Sequence, residues 1–324
     1  MTETLRTDLH PEVEELFDEA QATGTPTSHH MSPVGSRELV QRALDDAGLL
    51  SDPEPIDGDV IDYTIAGPDG DLPVRVYTPD TSGRHPVLVW YHGGGWVRGS
   101  IDSADGVCRA LVNRAECSVV SVGYRLAPEH PFPAGLRDCY AATNWVAEHP
   151  EVALADPSRI AVGGASAGGN LAAAVSLLAR DRGGPDITYQ LLGVPVTDTA
   201  LDTDSYMENA SGYGLYREDM RFYWDHYLEN DVDGANPYAA PLRARDLSDL
   251  PPGTVVTAGW DPLRDEGIEY YERLRDAGVD VTLDHYPDMP HNVISAVFLR
   301  DERGQAPQAY DDMAARLRTA FGTD

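Results

Sequence analysis

Arg159-Ile160-Ala161-Val162-Gly163 leads straight into Gly164-Ala165-Ser166-Ala167-Gly168, and the Ala- and Leu-rich stretch from Ala167 to Arg180 follows at once. The first five residues make a short apolar run bounded by turn residues, as a buried strand does, and the last stretch is built of good helix formers. Between them the Gly-x-Ser-x-Gly turn is sharp enough to hold the Ser backbone in a strained conformation, and the flanking glycines leave room for it. A strand, a tight turn carrying one hydroxyl and a helix form the unit from which a parallel sheet is built.

Outward from this unit the same alternation recurs. Apolar runs occur at Pro86 to Tyr91, Val119 to Val122, Leu191 to Val196, Thr254 to Ala258 and Val281 to Tyr286. Helical stretches lie at Ala104 to Arg114, Gly135 to Glu148, Pro262 to Ala277 and Gln308 to Ala320. The pattern predicts an open, mostly parallel α/β sheet covered on both faces, with right-handed crossovers. Ahead of it, Val60 to Ala66 and Val74 to Thr78 alternate apolar and polar residues about Gly67-Pro68-Asp69-Gly70, which predicts an antiparallel hairpin at one sheet edge.

Two segments stand outside the alternation. Residues 1–50 hold two amphipathic helices, the second capped by Ser36 and stopped by Gly48. An insert at residues 199–236 is rich in Tyr, Asp and Asn, with Met207, Tyr213, Tyr216, Phe222, Tyr223 and Trp224 as apolar surface. Both are read as a cap over the carboxyl edge of the sheet, where open α/β folds bind ligands. Residues 51–198 and 237–324 are then the two parts of one catalytic core.

The residues that could carry chemistry follow from Ser166. A hydroxyl is a poor nucleophile without a base, and the base needs a carboxylate to hold its tautomer. In this strand–turn–helix context the order is Ser, acid, His. His291, in the loop after the last strand run, is the expected base. Asp261, directly after the Thr254 to Ala258 strand, is the expected acid; Asp265 and Glu266 are its rivals, placed where acids favour a helix N-terminus. His285, inside a strand, reads as structural. His92-Gly93-Gly94-Gly95-Trp96 follows another strand, and its glycines let backbone N–H groups turn toward a developing oxyanion. Gly93 and Gly94, with the N–H of Ala167, are the expected donors. His92 reads as orienting the loop and Trp96 as packing.

These motifs, with Tyr124-Arg125-Leu126-Ala127-Pro128-Glu129-His130-Pro131-Phe132-Pro133-Ala134, Asn236-Pro237-Tyr238 and Asp261-Pro262-Leu263-Arg264-Asp265-Glu266-Gly267, resemble the hormone-sensitive lipase-like, or HGGG, family of esterases. The resemblance runs from about Val60 to the last helix. It implies an α/β-hydrolase fold, carboxylester hydrolysis on short and medium acyl chains, an N-terminal lid and no cofactor. The sequence departs from that family at Ala165, where an acidic or hydroxyl residue is common, and at Asn292-Val293, where a small residue and Phe are usual. A non-catalytic small-ligand receptor, an amidase and a lactonase are the alternative activities on such a scaffold.

Composition limits the partners. The chain has 24 basic and 54 acidic residues among 324, a net charge of −30, and all of its basic residues are Arg. Dense carboxylates without lysine resemble proteins of salt-rich cytoplasms, where salt screens their repulsion. The same charge argues against nucleic acid or an anionic membrane surface as partner. The opening residues lack a basic-then-apolar leader, no apolar run reaches the roughly 20 residues of a membrane span, and the cytoplasm is the expected compartment. Cys108, Cys117 and Cys139 lack metal-ligand or disulfide spacing and read as packing residues. No metal is expected, a small-molecule ester is the expected partner, and a homo-oligomer is compatible with the sequence.

Overall fold

The structure, a computed structural model, describes residues 5–24, 26–230 and 232–323. Among the described residues eight strands form one sheet: β1 (Gly58–Gly67), β2 (Gly70–Pro79), β3 (His85–Tyr91), β4 (Ser118–Val122), β5 (Ala155–Ala165), β6 (Tyr189–Gly193), β7 (Gly253–Trp260) and β8 (Val281–Pro290). Their order is β1-β2-β4-β3-β5-β6-β7-β8. The β1–β2 hairpin closes with Gly67 opposite Gly70 and sits at one edge, and β2 joins β4 antiparallel. Every pairing from β4 to β8 is parallel.

The helices are α1 (Pro11–Thr23), α2 (Pro33–Asp46), α3 (Ile101–Ala115), α4 (Ala134–Glu148), α5 (Ala167–Arg182), α6 (Asp204–Glu208), α7 (Arg217–Tyr227), α8 (Arg264–Asp276), α9 (Ala296–Arg300) and α10 (Ala306–Phe321). Strand alternation sorts the core into two layers. Val87, Val89 and Tyr91 of β3 point into one, with Leu136 of α4, Leu171 and Val175 of α5, and Tyr270 of α8. Leu88 and Trp90 point into the other, with Leu111 of α3 and Met313 and Leu317 of α10. With both faces covered, β3 and β4 are buried at every residue, which is why they read as unbroken apolar runs.

α5 is buried without a break from Ala167 to Ala179. Only small residues let a helix lie that close to a sheet. A Cβ on Gly168 would stand 1.9 Å from the Tyr91 carbonyl oxygen, so the helix backbone touches β3 here.

Several boundaries differ from the sequence reading. The cap of α2 is Ser32, not Ser36: Pro33 fixes the first helical φ, and the Ser32 hydroxyl accepts the Gly35 N–H at 3.1 Å. Ser36 is buried inside α2, its Oγ 3.2 Å from that of Ser28. β6 stops at Gly193 because Val194 turns to φ +39. α3 begins at Ile101, where Ser100 and Ser103 cap each other reciprocally. α9, too short for a periodic signal, has no counterpart in the sequence reading.

Candidate active site

Ser166 sits between β5 and α5 with φ +57 and ψ −117, a conformation L-residues avoid. Such strain costs on the order of 1–3 kcal/mol and persists only where the surroundings fix it. Here the Ser166 N–H donates to Gly193 O at 2.8 Å, and its carbonyl accepts the Asn170 N–H at 3.0 Å. Asn170 is itself anchored, its side-chain amide donating to Val196 O and Ala239 O at 2.9 and 2.8 Å.

Asp261 lies just past β7 with its side chain 1% exposed, and each carboxylate oxygen has one task. Oδ1 accepts the Leu263 N–H at 2.9 Å, and Oδ2 accepts Nδ1–H of His291 at 2.8 Å. Asn209, from the insert, donates to Gly259 O and Asp261 O at 3.2 and 3.1 Å and so pins the backbone around the acid. His291 opens a 3₁₀ turn after β8. With Nδ1 engaged by Asp261, Nε2 is the nitrogen left to accept a proton.

The rivals are engaged elsewhere. Asp265 accepts the Ser205 N–H at 2.7 Å and pairs with Arg264 at 2.7 Å. Glu266 is buried and accepts the Thr197 N–H at 2.6 Å; burial pushes its carboxyl up to about 8. Among the described residues neither shares a hydrogen bond with a histidine. His285 lies on β8 with Nδ1 2.9 Å from Thr257 Oγ1 and Nε2 2.8 Å from Leu5 O.

The glycine loop after β3 lies against the elbow. A Cβ on Gly93 would stand 2.9 Å from Ala165 O and 3.6 Å from Ser166 Cβ, so a side chain there would crowd the nucleophile. Gly94 turns at φ +115, and its carbonyl accepts the Arg98 N–H at 3.0 Å. His92 is buried, stacks on Tyr124 at 4.2 Å and donates from Nδ1 to Gly93 O at 2.8 Å; burial holds its imidazole down to about 4. The Tyr124 hydroxyl donates to His92 O at 2.8 Å. Trp96 is buried and stacks on Tyr227 at 4.2 Å.

Gly93, Gly94, Ser166 and His291 line one cavity of about 250 Å³, together with Val40 and Leu44 of α2 and Leu215 and Tyr223 of the insert. Ala167 is buried at the first turn of α5 and is not part of its wall. The three cysteines are free and buried. Among the described residues no group of three or more His, Cys, Asp or Glu is placed to hold a metal, and no helix is long and apolar enough to cross a membrane.

A family model for the alpha/beta hydrolase fold matches residues 88–295. The chain belongs to the α/β-hydrolase family. Among the relatives of this α/β-hydrolase, the carboxylic ester hydrolase LipN of Mycobacterium tuberculosis is 45% identical over 243 residues, covering 73% of this chain and 65% of that protein. The carboxylesterase NlhH of the same species is 45% identical over 254 residues, 76% of this chain and 79% of that one. An esterase from Pyrobaculum calidifontis superposes with a TM-score of 0.90 at 38% identity, covering 97% of this chain and 99% of that one.

Some contacts that build the site of this α/β-hydrolase are silent in its sequence. Arg37 of α2 donates to Val97 O and Ala127 O at 2.8 and 2.9 Å and forks onto Glu129 at 2.8 and 2.6 Å, tying α2 to the glycine loop. Asn209 reaches the acid from the insert. Both act through partners 50 or more residues away, for which periodicity gives no signal.

Proposed function

We propose that this chain is a serine carboxylesterase in which Ser166 is the nucleophile, His291 the general base and Asp261 the carboxylate that orients it. The observation that carries this reading is that Ser166 and His291 open onto one cavity while His291 Nδ1 is held on Asp261 Oδ2 at 2.8 Å. An ester carbonyl placed there is attacked by Ser166 Oγ as His291 Nε2 takes the hydroxyl proton. The N–H groups of Gly93, Gly94 and Ala167 receive the oxyanion. Collapse of the tetrahedral intermediate breaks the C–O bond to the alcohol, which leaves with the proton from His291 and forms the acyl-enzyme. Water, deprotonated by the same histidine, releases the acid and restores Ser166.

The described parts of residues 1–50 and 199–236 act as the cap, supported by the cavity walls that Val40, Leu44, Leu215 and Tyr223 supply; Met1 to Thr4, Thr25 and Asp231 lie outside the described residues. The preferred acyl chains are short and medium ones, a reading supported by the cavity of about 250 Å³ that the cap walls off. Names of relatives such as the arylesterase of Saccharolobus solfataricus, 41% identical over 237 residues, support the reaction class. The acidic, lysine-free composition supports a salt-rich cytoplasm as the setting. The test is rapid mixing with an activated ester such as 4-nitrophenyl butyrate. A burst of nitrophenol equal to one site per chain is expected, followed by slower steady turnover. Binding without any release of nitrophenol would instead fit a ligand receptor on this scaffold.

A further inference from the structure

Among the described residues lining the cavity none is Asp or Glu, although the chain carries 54 of them, and the only arginine among them is Arg98. Two other concave surfaces are by contrast acidic, one lined by Asp52, Glu54 and Glu302 and another by Asp62, Asp102 and Asp105. Arg98 stands three residues after Gly95, the last glycine of the loop. Its side chain lies along that loop, its Cγ 2.9 Å from where a Cβ on Gly94 would stand. The guanidinium carbon sits 5.6 Å from the centre of the Tyr223 ring, and Nη1 is 3.4 Å from Ser36 Oγ.

Among the described residues these two contacts engage only a small part of the guanidinium's five N–H donors. Among the described residues no carboxylate stands within ion-pair distance of Arg98. Other arginines of this chain have found such partners: Arg125 with Asp138 at 2.8 Å, Arg109 with Asp105 at 2.6 Å, Arg264 with Asp265 at 2.7 Å. Arg98 lines a cavity whose described wall carries no acidic group, and its planar guanidinium, held by an aromatic face and a hydroxyl, has the shape to match a carboxylate bidentately.

We infer that Arg98 is a specificity determinant that binds a carboxylate on the substrate, so that the preferred esters are anionic ones: half-esters of dicarboxylic acids or esters of hydroxy acids. This rests on the ester-hydrolase reading above and names its substrate class. Ser166 and His291 handle the scissile bond, and Arg98 fixes the charged end of the acid or alcohol part.

The test compares matched substrates that differ only in carboxylate against primary carboxamide. One pair carries the group on the acyl side, ethyl glutarate half-ester against its amide; the other carries it on the alcohol side, the butyrate ester of 3-hydroxypropanoate against that of 3-hydroxypropanamide. Assays in 1 M KCl, where the Debye length is about 3 Å, remove long-range repulsion from the net charge and leave contact pairing. The readout is the ratio of kcat/KM within a pair, which does not depend on how much of a preparation is active. Wild type is expected to favour the carboxylate by about tenfold or more in one pair, and Arg98→Gln to bring that ratio to about one or below. A wild-type ratio at or below one in both pairs, or an unchanged ratio in Arg98→Gln, overturns the inference. If wild type fails to hydrolyse 4-nitrophenyl butyrate as well, it is the ester-hydrolase reading that falls.

Discussion

Asp261 spends one oxygen on a backbone N–H and the other on His291, so its charge and its geometry can be separated by substitution. Asp261→Asn keeps the shape but presents a carboxamide that cannot stabilise an imidazolium and can hold the ring in the wrong tautomer. kcat on a neutral ester is expected to fall by about 10³- to 10⁴-fold, with little change in KM; a loss below tenfold would count against Asp261. Glu266, next to Asp265 in the first turn of α8 and like it a rival of Asp261, has a different signature. Burial raises its carboxyl from 4.5 to about 8, against the pull of the Thr197 and Asp198 N–H groups. The folded chain therefore binds more protons than the unfolded one between those values. The stability this gives is full below pH 4.5 and is lost as pH rises through 8. Glu266→Gln keeps an oxygen for Thr197 and cannot ionise, so its thermal midpoint should gain on that of wild type from pH 5 to pH 9. A difference that stays constant over that range would show that Glu266 is charged throughout.

At the scale of elements, the contact between α5 and β3 sets where Ser166 stands. Gly168→Ala would place a methyl 1.9 Å from the Tyr91 carbonyl oxygen, and backbone on both sides leaves nothing flexible to yield. The cost is expected to exceed about 3 kcal/mol, seen as a drop in the midpoint of denaturant unfolding; a loss under 1 kcal/mol would mean the two elements are not in contact. This contact also explains what the sequence could reveal. Fully buried strands read as continuous apolar runs, and Gly164-Ala165-Ser166-Ala167-Gly168 marks its own turn, so the alternation of strands and helices along the chain and the residues proposed for the site could be named from sequence, whereas the order of the strands in the sheet could not. Ser36 was mistaken for a cap because a serine near a helix start signals equally when it is buried against Ser28. Asn209 and Arg37 were invisible because their partners are set by tertiary folding and not by local pattern.

Over the whole molecule, the net charge of −30 is spread on a surface whose arginines pair with only some of the carboxylates. In 0.01 M salt the Debye length is about 30 Å, so carboxylates repel across the entire domain; at 1 M it is about 3 Å. Screening alone would level off by a few tenths molar, whereas ordered hydration of ions at the carboxylate surface would continue to act. The thermal midpoint and the initial rate on a neutral ester are expected to rise from 0.05 to 3 M KCl, and a maximum of both at 0.05 M would contradict a salt-adapted surface. The central assignment, a serine carboxylesterase built on Ser166, is tested on the intact chain by mass spectrometry after treatment with a fluorophosphonate. The expected result is one adduct per chain, located on Ser166, with ester hydrolysis lost in proportion to labelling, and neither labelling nor turnover above about 10⁻⁴ of wild type in Ser166→Ala. Hydrolysis that persists in fully labelled protein, or in Ser166→Ala, would contradict it.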